Sequence, residues 1–532
     1  MGGMPSADYV IVGAGSAGCV LANRLSEDPD VRVLLLEAGG SNRHPFITMP
    51  AAFANQFHTK LDWDFHSEPE PGADGRSLYS PRGKSLGGCS SMNAMLYVRG
   101  RPLDYDMWEA QGAAGWGWSD VLPYFLKSEN NSRGASEYHG VGGPLEVGEQ
   151  RSPRPLNDAF LASCEAAGIP RIADYNGPEQ DGASIAQVTQ RRGRRWSVAD
   201  AFLRPARRRP NLQVMTGAQA LGIELDGDRA VGVRIRDRRG RVHVAHAERE
   251  VIVSSGAYGS PHLLLLSGIG PAAGLEAAGV PVRHELPGVG ENLHDHPFMP
   301  VLFHVRDQET LLGADKLGPL LEWAVRRTGP LTSTAAEAFA FLRSRPGLPA
   351  ADIQHHFGAL YFEAHGAETY DDHAMVIAPV LVSPKSRGRL WLRSSDPLAP
   401  PRFLTNVFDE PEDLDAMVAA VRSAREIAAA EPLASTVVSE IKPGAQEETD
   451  EDLRAAIRRR IEMIYHPVGT CRMGVDEDAV VDPELRVRGL EGLRVIDASV
   501  MPVIPGGNTN APTIMIGERG ADLVRGRIGV TA

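Results

Sequence analysis

Residues 8–37 read DYVIVGAGSAGCVLANRLSEDPDVRVLLLE. Asp8-YVIVG is a short apolar run ending in glycines, the pattern of a buried parallel strand. Ser16-AGCVLANRLSE follows with helical spacing, which puts Ala17, Val20, Leu21 and Leu25 on one side. Val31-RVLLLE is a second buried strand, so the whole stretch is a βαβ unit. Gly13, Gly15 and Gly18 fall between strand and helix as G-x-G-x-x-G. The first glycine makes the tight turn, the second admits a pyrophosphate close to backbone, and the third lets helix and strand touch. Ser16 and Ala17 open the helix, whose free N–H groups and positive dipole end suit phosphate. Glu37 closes the second strand, where a carboxylate accepts bonds from ribose hydroxyls. Ala38 and two glycines come next, with no adjacent arginine for a 2′-phosphate. The pattern predicts a dinucleotide site and leaves FAD and NAD both open.

Working outward, residues 40–150 are rich in Gly, Pro, Trp and Asn, and read as an extended region laid over the core, including the loop Pro81-RGKSLGGCSSMN. Strand patterns return at Leu212-QVMTGAQALGIEL, Ala230-VGVRIRD and Glu250-VIVSSGA, and again at Ala374-MVIAPVLV and Gly388-RLWLR. Asp413-LDAMVAAVRSAREIAAA reads as a strong helix, and Leu493-RVIDAS as a last strand before a helix expected near Thr513. The nucleotide-binding pieces lie at both ends and in the middle of the chain. The expectation is therefore an α/β protein whose Rossmann-like nucleotide domain is interleaved with an α+β substrate domain on an antiparallel sheet. The nucleotide domain takes residues 1–155, 211–300 and 461–532, and the substrate domain takes 156–210 and 301–460.

Composition bounds the function. The chain has 532 residues, 42% apolar and 23% charged, ordinary for a globular enzyme with a sizeable core. A net charge of −13 argues against a nucleic-acid partner. Four scattered cysteines, with no CxxC pair, suggest neither zinc nor a disulfide framework and fit a reducing compartment. The first residues lack the basic and apolar regions of a leader, and no apolar run approaches the ~20 residues of a membrane span. A cytoplasmic protein is expected, with peripheral contact to the inner face of the membrane kept open and the oligomeric state unassigned.

Five further segments match one family in order: Pro81-RGKSLGGCSSMNAMLYVRG, Gly256-AYGSPHLLLLSGIGP, Gly288-VGENLHDH, Tyr465-HPVGTCRMG, and Val495-IDASVMP with Gly507-NTNAPTIM. The chain resembles the glucose–methanol–choline (GMC) oxidoreductases, most nearly the bacterial alcohol and choline dehydrogenases. The likeness weakens across 300–455. It implies FAD, with Gly87, Gly88, Asn93 and Ala94 on the flavin side and Ala220 by the adenine. Asp497, Ala498, Asn510, Pro512 and Thr513 complete the expected cofactor contacts. Met92 stands where some relatives carry a flavin-linked histidine, so non-covalent FAD is expected.

The resemblance also implies the chemistry. His466 matches the family's base and Asn510 the second catalytic position. Loss of the hydroxyl proton helps an alcohol carbon release hydride, and an imidazole titrating near neutrality suits that role. An amide beside it could hold the alkoxide oxygen. On the substrate side, Glu337 could meet a cation, and of His355 and His356 one is expected to face the pocket and the other the exterior. No metal site is expected. The implied activity is oxidation of a primary aliphatic or aromatic alcohol, or a choline-like one, with electrons passed to a quinone or an electron-transfer protein. An oxidase using O2 is the alternative, and an FAD-containing lyase or decarboxylase the reading from another class.

Overall fold

The computed structural model describes residues 6–528. The leader expectation rests partly on residues 1–5, which lie outside that range. Two large sheets organise the chain. The first holds strands β1 (Ala7–Val12), β2 (Val33–Glu37), and, further along, the strands at Leu212–Thr216, Gln219–Asp226, Arg229–Arg236 and Val242–Val253. β1 lies between β2 and Val242–Val253, parallel to both, and β2 pairs in parallel with Leu212–Thr216. The closing strand Leu493–Val495 adds in parallel beyond Val251–Val253. Every residue of β2 is buried, as expected of a strand covered on both faces. Leu34, Leu35 and Leu36 each contribute on the order of 2 kcal/mol by leaving water.

The second sheet is antiparallel. Its long path orders strands Val437–Lys442, Val301–Val305, Ala374–Leu381, Ile353–Gly358, Ala338–Leu342 and Gly182–Ile185. A helix at Pro411–Ala429 packs on this sheet, burying Leu414, Met417, Val418 and Val421. Strands for the two sheets thus alternate along the chain. The architecture is mixed α/β, a Rossmann-like sheet joined to an antiparallel one.

Helix α1 (Ser16–Leu25) has Gly15 at its N-cap and no side-chain cap. The last helix, α2 (Asn510–Val524), lies against α1, where a Cβ at Gly517 would stand 3.1 Å from the Ala17 Cα. Arg24 donates to Glu518 across the pair at 2.6 Å. α2 starts at Asn510, three residues before the expected Thr513. Pro512 is no obstacle, because proline is tolerated in the first turn, where its missing N–H has no partner to lose.

Candidate functional site

A cavity of about 540 Å³ runs between the two sheets. One end is built by main chain. Gly13 has φ +102°, and a Cβ there would lie 2.4 Å from the Ser254 carbonyl oxygen. A Cβ at Gly18 would lie 1.9 Å from the Gly13 oxygen, so helix and strand touch only because both are glycine. Gly13, Gly15, Ser16, Ala17, Glu37 and Ala38 line this end. The Glu37 carboxylate accepts from the Ala14 N–H at 3.0 Å and the Gly39 N–H at 2.7 Å. Burial nevertheless raises its pKa to about 7. Uncapped α1 amides, a cradle without Cβ atoms and a carboxylate at the strand end fit a dinucleotide with its pyrophosphate over α1.

The loop at 81–94 closes over this cradle. Gly87 has φ +95° and donates its N–H to Ala14 at 2.7 Å. A Cβ at Gly88 would meet the Gly15 Cα at 2.8 Å. Gly88, Met92, Asn93, Ala94 and Ala220 all line the cavity. The Asn93 side-chain oxygen accepts from the Met95 N–H at 3.0 Å and from Arg195 at 2.8 Å. Ala498 lines the cavity as well. Thr513 lines the wall and gives its hydroxyl to Thr509 O at 2.7 Å. Asp497 lines it too, but its carboxylate is engaged by Gly256 N–H, the Ser260 hydroxyl and both donors of Ser499. Its side chain therefore caps and cross-links, leaving main chain to face a ligand. Gly18, Gly87 and Pro512 shape the wall without lining it.

The other end is built by side chains. Tyr465 has φ +69°, a left-handed turn held by Arg82 donating to its carbonyl. That turn presents His466. The His466 N–H and the His296 N–H both donate to Asp295 Oδ1, at 2.7 and 2.8 Å. One buried carboxylate thus fixes both residues. Burial raises the Asp295 pKa to about 7 against the pull of Arg82. The His466 Nδ1 lies 3.0 Å from His296 Nδ1, and its Nε2 lies 3.1 Å from Asn508 Nδ2. An amide NH2 only donates, so Nε2 carries the lone pair and Nδ1 the proton, which goes to His296. Burial, followed by the neighbouring His296, His356 and Arg82, holds the His466 pKa well below its usual value. The ring is a neutral base.

Here the pairing expected of Asn510 is corrected. Asn508 stands against His466, whereas Asn510 accepts from the Ser16 hydroxyl at 2.7 Å, on the cradle side. Both line the cavity. The two are separated by one residue just where the chain turns into α2, which aims their side chains apart. Glu337 is corrected as well. It does not line the cavity; its carboxylate accepts from Arg154 N–H, Asn157 and Ser333, at 2.6–2.8 Å, deep in the fold. His356 does line the cavity. His355, on the opposite face of its strand, is fully buried and 2.8 Å from Ser423 in the Pro411–Ala429 helix, so it meets core and not exterior. Burial drives both pKa values down to about 3.

His296 and Asp295 had no assigned role in the sequence, although they end the quoted motif Gly288-VGENLHDH. The signal available was that two histidines flank an aspartate there. Beyond His466 the wall is apolar: Phe298, Val376 and Ala378 form one cluster with Leu360, Phe362 and Ile464 packed on it. Three carboxylates line the cavity, and Glu37 and Asp497 are committed as described. The third, Asp64, is exposed and bonded to His58 at 2.7 Å, with His66 also near. This is the one potential metal-ligating trio among the described residues. Its His58–Asp64 contact is closer than the roughly 3.3 Å separating two ligands of a tetrahedral zinc ion, so it is a hydrogen bond.

Comparison with known proteins fits this geometry. Family models described as GMC oxidoreductase match residues 7–298 and 384–517. The chain is 43% identical over 525 residues to an alcohol dehydrogenase (acceptor) of Pseudomonas putida, covering 97% of this chain and 95% of that protein. It is 42% identical over 530 residues to an oxygen-dependent choline dehydrogenase of Photobacterium profundum, covering 98% and 93%. Among solved structures, pyridoxine 4-oxidase from Mesorbium loti superposes with a TM-score of 0.90 at 32% identity, covering 98% of this chain and 100% of that one.

Proposed function

The chain belongs to the GMC oxidoreductase family and binds FAD, and from that premise we propose that it oxidises an uncharged primary alcohol to an aldehyde, with His466 as the base. The observation that carries this is the half-buried His466 ring on the cavity wall, its unprotonated form favoured and its Nε2 lone pair turned toward Asn508. Non-covalent FAD would supply the two-electron acceptor. Among the described lining residues, Met92 offers no imidazole for attachment.

The chain's own residues handle the proton and the position. His466 Nε2 takes the hydroxyl proton, and its Nδ1–H stays on His296, so the cation formed is shared by a hydrogen bond at 3.0 Å. The Asn508 amide, 3.1 Å from Nε2, is placed to donate to the same hydroxyl oxygen as negative charge grows there. Asp295 keeps both rings in register through backbone N–H bonds. The wall of Phe298, Ile464, Val376, Leu360 and Phe362 excludes water and fits an aliphatic or aromatic chain. It offers no free carboxylate to a quaternary ammonium group, which favours uncharged alcohols over choline.

The acceptor we propose is a quinone, an electron-transfer protein or a dye in place of O2. Ile464, on the cavity wall beside the His466 turn, adds bulk there. Anaerobic mixing of the holoenzyme with a panel of primary alcohols tests the reaction: wild type should bleach rapidly, and His466→Ala roughly 10²–10⁴-fold more slowly with its flavin retained. Equal bleaching rates would overturn the role of His466. Peroxide formation outpacing dye reduction with the same alcohol would make it an oxidase.

A further inference from the structure

A third helix, α3 (Leu317–Arg326, lying between α1 and α2 in sequence), is amphipathic with its apolar side turned outward. Leu317, Leu321 and Val325 recur every four residues, one turn apart on one face, and are 70%, 55% and 78% exposed. Leu320, on the same helix, is 37% exposed, and Leu312, five residues before the helix, 47%. The opposite face is anchored by Trp323, 9% exposed, whose indole N–H donates to Gly193 O at 2.9 Å. The ridge is therefore held rigidly outward by a buried anchor. Single exposed leucines need no explanation, but three apolar side chains in register along one helix face do.

Cations surround it. Lys316 and Arg326 are exposed at the two ends of the helix, and Arg327 follows, its guanidinium 4.0 Å from the Trp323 ring. The hairpin carrying Gly193 brings Arg192 and Arg194, both exposed, to the same side. None of these five has an ion-pair partner among the described residues. The nearby acids on the helix and before it are Asp315 and Glu322, and Glu322 is bonded to Thr328. On a chain of net charge −13 this is a local reversal of sign.

We propose that α3 is a membrane-docking element that lies in the interface of an anionic phospholipid bilayer, with Leu317, Leu321 and Val325 inserted and the arginines on the headgroups. Charge complementarity selects this occupant: a second copy of this acidic chain lacks the dense negative field that an anionic leaflet offers. The position adds to the case. α3 runs through Pro330–Thr332, which packs on Pro50–Gln56, and both segments lead to the cavity wall at Phe53 and Thr334–Ala336. Docking would set the cavity beside a phase that concentrates apolar alcohols and quinones. The docking itself does not depend on the alcohol reading, since membrane binding is read without turnover.

The test is sedimentation of the FAD-loaded holoenzyme with vesicles of phosphatidylcholine alone or with phosphatidylglycerol added. Wild type should pellet with the anionic vesicles and lose binding as salt rises. Leu321→Glu/Val325→Glu should weaken partitioning roughly tenfold or more. Arg194→Glu should weaken it roughly fivefold. Dye reduction with a soluble alcohol and acceptor should be unchanged in all of them. Equal pelleting of wild type and the Leu321→Glu/Val325→Glu variant overturns the proposal, as does no pelleting of wild type. A dimer of wild type in light scattering that this variant converts to monomer, without vesicle binding, assigns the ridge to self-association and overturns it as well.

Discussion

The two ends of the cavity are made in opposite ways. The nucleotide end is built largely of main chain: Gly13, Gly18 and Gly88 each stand where a Cβ would collide with backbone. The other end, where we propose the chemistry to take place, is a set of side chains, His296, His466 and Asn508, delivered by segments far apart in the chain, with His296 and His466 held by the carboxylate of Asp295. At the first end specificity comes from what is missing. At the second it comes from what is placed. Substitutions should therefore fail differently at each: cofactor retention should be lost at the first and rate at the second.

The largest expected effect is at the cradle. Gly18→Val should give protein with little bound flavin, read from the absorbance ratio at the flavin and protein maxima. Full flavin content would break the contrast. Next comes His466→Gln, which should keep flavin while turnover falls roughly 10²–10⁴-fold. The sharpest test lies between neighbours. Asn508→Ala should lower the rate of anaerobic reduction roughly 10–10³-fold with flavin affinity kept. Asn510→Ala, which loses its bond to Ser16, should instead loosen flavin roughly fivefold, in line with one hydrogen bond worth ~1 kcal/mol. The reverse ranking would restore Asn510 as the catalytic amide.

Glu337→Ala should destabilise by about 3 kcal/mol, because it strands three buried donors, yet leave KM for the alcohol unchanged. Chemical denaturation and steady-state kinetics check the two halves. The smallest effect concerns pH. His296, His355 and His356 titrate at about 3 in the fold against 6.5 in a free chain. Below 6.5 the unfolded chain binds more protons, so their stabilisation is complete above that pH and is lost as pH falls toward 3. Glu37 and Asp295, raised to about 7, act in the opposite sense and favour the fold on acidification. The readout is thus a difference: between pH 7 and 5 the melting temperature of His355→Gln should fall less than that of wild type, on the order of 1 kcal/mol of stability per pH unit.

Legibility followed the same division. The cradle is local, written within one βαβ unit, so Gly13, Gly15, Ser16, Ala17, Glu37 and Ala38 could be named from spacing and each lies on the cavity wall. The alternation of strands between two sheets was readable from where the apolar runs recur. At the side-chain end, the residue standing against His466 was not readable. Asn508 and Asn510 sit in one motif, and only the start of α2 at Asn510 shows which faces His466. Asp295 acts through contacts that no linear pattern carries. Glu337 misled because a buried carboxylate satisfied by Arg154, Asn157 and Ser333 looks, in sequence, like one waiting for a cation.

The hydrogen bond from Ser16 to Asn510 spans 494 positions, and α2 is the lid on α1. The two residues close a loop that contains the whole antiparallel sheet. The nucleotide pocket is therefore sealed only once the intervening chain has folded back to bring them together. Loosening α2 from α1 should release flavin even with the glycine motif intact, read from the flavin absorbance of the purified protein.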